Sequence, residues 1–482
     1  MHRAAWLISG VVCWIAAAAV PAPGGEFSRA DAAAALRRAT DFFRGQCGLE
    51  GGYVWRHSAD LTKREGEQAT TATQVWTQPP STATVGEAFL EMHLLTGEEA
   101  FLAAARETAE CLIRGQLRSG GWDKFIELDP AARRKIAYRV DPPADQVEPP
   151  FDTTTLDDDK TQCGIRFLMR LDAATDFGDP RLHEAARYAL DGLVTAQRPN
   201  GGWPQRFTGP GDPARYPVRS ASYPESWSRS WPGADFIDHY TFNDGNISGV
   251  IGVLLEAAAT YAEPRYRAAA EKAGDFIRLA QMPEPQPAWA QQYDADMHPA
   301  WARKFEPPAV TGGESQGIIR ALLALYRATG EPRFLEPVPP ALAWMRRSRL
   351  PDGSLARFYE LRTNRPLYFT KDMVLTYEDG DLRNGYGFEV GYRAEELEAA
   401  YRAAREATVP AAVRPWRPRR EPWTADLAAA AARAAAALDD RGAWVEDGRL
   451  GTYGADDGTR RVIRTGTFVR NALVLARAAS AE

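Results

Sequence analysis

The sequence predicts an all-α fold, an α/α toroid of repeated helical hairpins joined by long loops rich in glycine and aromatic residues. Three observations predict it. Helical periodicity recurs over nearly the whole 482-residue chain. Many of the helices pair across a short turn, as in HLLTGEEAFLAAA, RLDAATDFGDPRLHEAA, AAATYAEPRYRAAA and ALYRATGEPRFLEPV. Between pairs, glycine–aromatic segments return at a spacing of roughly 70 to 90 residues, with one interval about twice that.

The periodicity places helices at about 30–46, 81–96, 98–118, 160–175, 179–197, 247–261, 264–281, 314–329, 334–348, 391–404, 425–439 and 466–479. In each pair an Ala-rich apolar helix runs into a turn carrying Gly or Pro, and a second helix with small faces follows. The first helix and the last, TFVRNALVLARAA, have no sequence neighbour to pair with. Their mutual pairing would close a ring; without it the repeats would form an open solenoid. The segment PWRPRREPWT at 415–424 reads as a linker before the final pair rather than as a domain boundary.

The start, MHRAAWLISGVVCWIAAAAVPAPG, is a short basic stretch, an apolar run and then small residues. It reads as a secretory signal peptide over 1–22, leaving one toroidal catalytic domain over 23–482 and a secreted or periplasmic protein. An uncleaved anchor is the alternative for this segment, and no later apolar run approaches a membrane span. Lys plus Arg number 58 against 64 Asp plus Glu, so bulk charge makes no case for nucleic acid as a partner. Cys47, Cys111 and Cys163 lack metal-ligand spacing and allow one internal disulfide or buried free thiols. With 6 His and no HExxH segment, a zinc-centred site is not expected.

The long loops are where ligand-binding residues would sit on a rigid helical scaffold. They carry Trp55, Trp76, Trp122, Trp203, Trp227 and Trp231. Such rings suit stacking on sugars, but most are expected to pack over the neighbouring Gly-Gly at the end of the toroid. Two segments place acids just before helices: TLDDDKTQ at 155–162 and YTFNDGN at 240–246. Adjacent like charges repel unless a cation or a helix terminus offsets them. Helix capping is the simpler account of such acids. Asp157 or Asp158 with Asp244 could instead gather oxygen ligands around calcium, a hard cation. Lys160 would offset one charge, and Asp159 is expected to cap or to be solvated. Two further segments, PAWARKFEPP at 299–308 and FTKDMVLTYEDGDLRNGYGF at 369–388, supply Arg303, Lys371 and Arg383. Acidic ligands facing a cationic rim suit a negatively charged sugar. Surface salt bridging, of Lys371 beside Asp372 and of Arg383 beside Asp381, is the competing expectation.

In this order the segments resemble the pectate lyases of polysaccharide lyase family 10. The family's Thr-hydrophobic-Asp-Asn-x-x-Thr segment is similar to Thr155 through Thr161, and its Gly-Gly-Trp-Pro-Gln to Gly201 through Gln205. Its Thr-Phe-Asn-Asp is similar to Thr241 through Asp244. An Ala-Arg-x-aromatic-Glu segment corresponds to Ala302 through Glu306, followed by Gly312 through Ser315. Arg-x-Gly-Tyr corresponds to Arg383 through Tyr386. The resemblance covers about 150–395. It implies a helical toroid that cleaves an acidic polysaccharide, pectate or a related uronate polymer, by Ca2+-assisted β-elimination, and a monomer is expected. It makes Arg303 the catalytic base and Asp157 and Asp244 the metal ligands. Lys371, Arg383 and Asp158 become substrate contacts. This chain departs by carrying Asp158 where the family has Asn, Asp159 beside it, and Trp301 two places before the base. Two other functions stay open: a glycoside hydrolase using Asp158 and Asp244 as acid and base, and a non-catalytic glycan-binding protein.

Overall fold

The expected ring closure is formed by the two ends of the chain. In a computed structural model, described over residues 26–142, 150–411, 413–454 and 457–482, helix α1 (Arg29–Phe42) packs along α12 (Thr465–Ser480), and α12 packs on α2 (Thr82–Thr96). The described residues also include α3 (Glu99–Arg114), α4 (Lys160–Ala174), α5 (Pro180–Ala196), α6 (Asn246–Tyr261) and α7 (Pro264–Ala280). They are followed by α8 (Gly312–Thr329), α9 (Val338–Arg347), α10 (Ala394–Glu406) and α11 (Ala425–Ala436). Helices α2, α4, α6, α8 and α10 pack in succession as an inner layer that α12 joins at α2. The odd-numbered helices lie outside, with α3, α5 and α7 in contact in turn and α1 against α11. The fold is the α/α toroid, and the open solenoid is excluded. The proposed signal peptide falls outside the described residues.

Sequence explains which helix lies where. Helix α6, NISGVIGVLLEAAATY, is apolar almost all round because neighbours cover it on several sides. Outer helix α7, PRYRAAAEKAGDFIRLA, buries Tyr266, Ala269, Ala270, Ala273, Phe276 and Ile277 on one stripe and leaves its charges outside. The hairpin turns use residues suited to helix ends. Gly97 and Gly330 close α2 and α8 in the left-handed conformation, and Pro180 and Pro264 open α5 and α7.

The glycine–aromatic segments form one rim of the toroid. Trp122, Trp203 and Trp444 each donate the indole N–H to the carbonyl ten residues earlier, on Leu112, Leu193 and Ala434, at 2.9, 2.8 and 2.8 Å. Trp76, Trp122 and Trp203 are buried as plugs, as expected for most of these rings. Short antiparallel pairs stitch the rim: Thr154–Thr155 with Arg206–Phe207, Tyr240–Thr241 with Gln292–Tyr293, and Arg56–Ser58 with Arg461–Arg464. A four-stranded sheet covers a second small core of Trp301, Phe358, Leu367, Phe369 and Phe388. Trp301 is therefore a core residue, its indole donating to the Ser228 carbonyl at 2.8 Å, and does not offer a face to a sugar. Cys47, Cys111 and Cys163 are buried and unpaired. No helix among the described residues is long and apolar enough to cross a membrane.

Candidate metal and carboxylate site

The two acidic segments are copies of one local structure. A short strand, Thr154–Thr155 or Tyr240–Thr241, leads into a one-turn 3-10 segment and then into an inner helix, α4 or α6. In both, the second residue of the 3-10 turn has positive φ, and this turns its carboxylate into the mouth of the ring. The register makes Asp158 the counterpart of Asp244 and Asp157 the counterpart of Asn243.

Asp157, Asp158 and Asp244 come together. One oxygen from each lies within 4.8 Å of the others. Gln205 donates to Asp157 at 2.6 Å and Gln78 donates to Asp158 at 2.9 Å. The Lys160 ammonium, itself 4 % exposed, lies 3.2 Å from Asp157 and 3.3 Å from Asp158. Burial, then the charges of Asp158 and Asp157, push the Asp244 carboxyl up to about 6. Asp159 does not cap α4. It sits in the left-handed region and pairs with Arg166.

These residues fit a hard divalent cation. Three carboxylates against one ammonium leave negative charge to be balanced, and buried acceptor oxygens on Gln78 and Asn243 have no hydrogen-bond partner among the described residues. The set is all oxygen, as calcium prefers, with neither Cys nor His near enough to favour zinc.

Arg303 stands beside this cluster, close enough for Asp244 to act on its charge. It does not stand free. Its Nη2 lies 2.5 Å from the buried Glu306, and its backbone N–H donates to the same carboxylate at 3.1 Å. Burial alone would favour the neutral guanidine; Glu306 outweighs it, Tyr386 and Asp244 add to Glu306, and the pKa moves above its ordinary value. Arg383 reaches the same place by stacking: its guanidinium lies 3.9 Å from the Phe305 ring centre, and that of Arg303 lies 5.3 Å from it. Lys371 is drawn elsewhere. It is exposed and pairs with Asp381 at 2.7 Å, the surface bridge expected of it but with a different acid.

Sequence reasoning missed several participants. Arg357 packs 4.6 Å from the Tyr386 ring centre and reaches Glu314 at 3.3 Å, while the Tyr386 hydroxyl donates to Glu306 at 3.1 Å. Across the mouth, a cleft of about 750 Å³ runs from Asp158 and Asp244 to Trp55, Arg464 and Arg470. That wall comes from both ends of the sequence, Trp55 from the first loop and Arg464 and Arg470 from the closing strand and α12. Of the loop tryptophans, Trp55 lines this cleft and Trp231 is exposed. The only signal for the wall was the expected pairing of the first and last helices.

Residues 140–355 match the family described as pectic acid lyase. Asp157, Asp158, Asp244 and Arg303 lie inside that segment, and Lys371 and Arg383 lie beyond it. No curated protein matches the chain. Among solved structures, the family 10 polysaccharide lyase from Cellvibrio cellulosa is 21% identical, with a TM-score of 0.43, covering 67% of this chain and 97% of that one. A mutant of it in complex with trigalacturonic acid is 20% identical, with a TM-score of 0.44, covering 67% and 98%. A GH76 α-mannanase from Bacteroides thetaiotaomicron is 10% identical, with a TM-score of 0.42, covering 93% and 95%.

Proposed function

We propose that the protein is a secreted polysaccharide lyase that cleaves pectate or a related uronate polymer by calcium-assisted β-elimination, its toroid forming a single domain. The observation that carries this reading is the placement of a three-carboxylate, all-oxygen cluster beside a buried-carboxylate-anchored arginine at the mouth of the ring. The family match over residues 140–355 supports it.

The chemistry asks for three things. The C5 proton of a uronate is weakly acidic, so its removal needs charge stabilisation on the neighbouring carboxylate. Calcium held by Asp157, Asp158 and Asp244 would supply a Lewis acid for that carboxylate. Arg383 and Arg303, both packed against Phe305, bind and orient the anionic ring. The C5–H bond then gives its electrons to a C4–C5 double bond while the C4–O bond breaks and the leaving oxygen takes a proton.

Arg303 is the proposed proton acceptor, a role in which it must react as the neutral guanidine, the form that Glu306 disfavours. Its pairing with Glu306 favours a second role, because a guanidinium held charged is suited to clamp a carboxylate. Hydrolysis by Asp158 and Asp244 is the competing chemistry, and the raised Asp244 carboxyl is what favours it. Their oxygens approach within 4.8 Å, closer than the about 6.5–9.5 Å between carboxyl groups that inversion requires and near the about 5–5.5 Å of retention.

Incubation of the purified protein with polygalacturonate, with calcium and with chelator, decides between them. Calcium-dependent absorbance near about 235 nm, the band of the new double bond, is the expected result. Saturated fragments without that absorbance would establish hydrolysis, and intact polymer across a broad set of uronates would remove the lyase reading.

A further inference from the structure

A second concavity, of about 260 Å³, opens on the far side of the strand pair Thr154–Thr155 and Arg206–Phe207, with Arg198, Arg206 and Arg215 in its wall. Arg198 is the unusual one. It is 5 % exposed, its guanidinium lies 4.5 Å from the Tyr216 ring centre, and its Nε and Nη1 have no acceptor among the described residues. Gly211 backs directly onto it: a Cβ there would fall 1.8 Å from Nη1. The loop thus closes over the guanidinium with no side chain between them. A buried charged donor without a partner is costly, and the surroundings offer it little relief. Of the two carboxylates in the wall, Asp212 accepts the backbone N–H of Ala214 at 3.0 Å, and Asp238 pairs with Arg215 at 3.3 Å. Arg206 is exposed and makes no ion pair among the described residues.

The pocket is tied to the acidic cluster by one strand. Gln205 turns inward and donates to Asp157 at 2.6 Å. The next residue, Arg206, pairs across the ladder with Thr155 and turns outward to this pocket. A polymer lying over the cluster and extending past this strand would bring a later carboxylate to the three arginines.

We propose that the Arg198–Arg206–Arg215 pocket is a distal subsite that binds one carboxylate of a uronate chain several sugars from the cleavage point. This rests on the lyase reading of the cluster. Guanidinium groups suit a planar carboxylate, and the unsatisfied Arg198 is where the charge gain is greatest.

The test measures binding of galacturonate trimer and hexamer by calorimetry, in calcium, to wild type, Arg198→Lys and Arg206→Gln. The second variant changes an exposed residue and leaves the fold intact. Each variant is expected to bind hexamer about tenfold more weakly, one lost charge-assisted contact, while trimer binding is unchanged. On polymer, KM rises and kcat holds. If wild type cleaves polygalacturonate and both variants bind hexamer as wild type does, the subsite is overturned and the lyase reading stands. Equal losses for trimer and hexamer also overturn it, since the effect is then not distal. Sodium sulfate separates the remaining case. If no uronate binds, yet sulfate raises the unfolding midpoint of wild type and not of Arg198→Lys, the pocket is a free-oxyanion site, and both the uronate subsite and the lyase reading fail.

Discussion

Asp158 and Asp244 have the same backbone conformation in two copies of one strand–turn–helix unit: φ 50° and ψ 37° at Asp158, φ 50° and ψ 29° at Asp244. Each is followed by a second left-handed residue, Asp159 at φ 61° and Gly245 at φ 70°. A left-handed pair is costly for ordinary residues, and Asp and Gly tolerate it best. The repeat therefore aims two carboxylates from neighbouring inner helices, α4 and α6, at one point. A metal-binding pair built by repetition has symmetric consequences. Asp158→Asn and Asp244→Asn are each expected to weaken calcium binding about 10–100-fold, the range seen when support for a metal site is removed. Calorimetric titration of the metal-free protein with calcium chloride reads this directly. Absence of heat at millimolar calcium in wild type would end the metal assignment.

Lys160 predicts an opposite effect at the same place. Its ammonium lies between Asp157 and Asp158, so an arriving cation must compete with it. Lys160→Met is expected to bind calcium about tenfold more tightly while losing stability in chelator, because two carboxylates then face each other without a counter-charge. Unfolding midpoints with calcium and with chelator should diverge more in the variant than in wild type. Equal divergence would show that Lys160 is only a structural partner of Asp157.

The twelve helices and the closing pair were legible because periodicity and turn chemistry are local properties. The acidic segments stood out for the same reason. What could not be read was how the rim loops converge. Glu306 is a local partner of Arg303, three residues on, but Arg357 and Tyr386 are brought to that pair through the sheet of Ala309–Thr311 with Phe358–Glu360, a pairing between segments nearly fifty residues apart. Trp301 stood out only as a departure from the family pattern two places before Arg303, and nothing in PAWARK reveals that it covers a small core. Both Asp157 and Asp158 could be set beside Asp244 from residue type alone, and both lie in its cluster. That the repeat makes Asp158 the counterpart of Asp244 rests on two glycine-like turns that no side-chain pattern announces.

Arg303 carries a prediction that separates its two proposed roles. Arg303→Ala is expected to lower kcat about 10²–10⁴-fold in either case. Arg303→Lys discriminates. If Arg303 accepts the C5 proton, the variant's pH–rate profile moves to lower pH, since an amine loses its proton near about 10.4 and a guanidinium only above about 12. If Arg303 clamps the carboxylate, the profile stays in place and KM rises. A variant as active as wild type, with the same profile, would remove Arg303 from the site.

Gly201 tests the rim. It has φ +97°, and a Cβ there would fall 2.0 Å from the Lys272 carbonyl oxygen. The loop after α5 lies against α7 with no room for a side chain, and that contact seats Trp203 on Leu193. Gly201→Ala is expected to destabilise by at least about 1–3 kcal/mol, the cost of a residue held in a sparsely populated conformation. Urea unfolding measures it, and a loss under half a kcal/mol would mean that the loop is free to move away from α7.

His57 gives the fold an acid-side weakness. It lies opposite Ile463 in the strand pair that closes the ring, buried, with Nε2 lacking a partner. Burial, then the nearby Arg64 charge, push its pKa down to about 4. The unfolded chain takes up this proton near pH 6.5, before the folded chain does. His57 therefore contributes its full stability above about pH 6.5, and that contribution declines as pH falls to about 4. At 1.36 kcal/mol per unit of separation the loss amounts to about 3 kcal/mol. Unfolding free energies of wild type and His57→Leu at pH 7, 6 and 5 isolate it, because the comparison cancels the other titrating groups. The gap between the two proteins should shift toward the variant by about 1.4 kcal/mol for each pH unit in this window. A gap that does not change with pH would place the proton on His57 in the folded state and require a polar partner for Nε2.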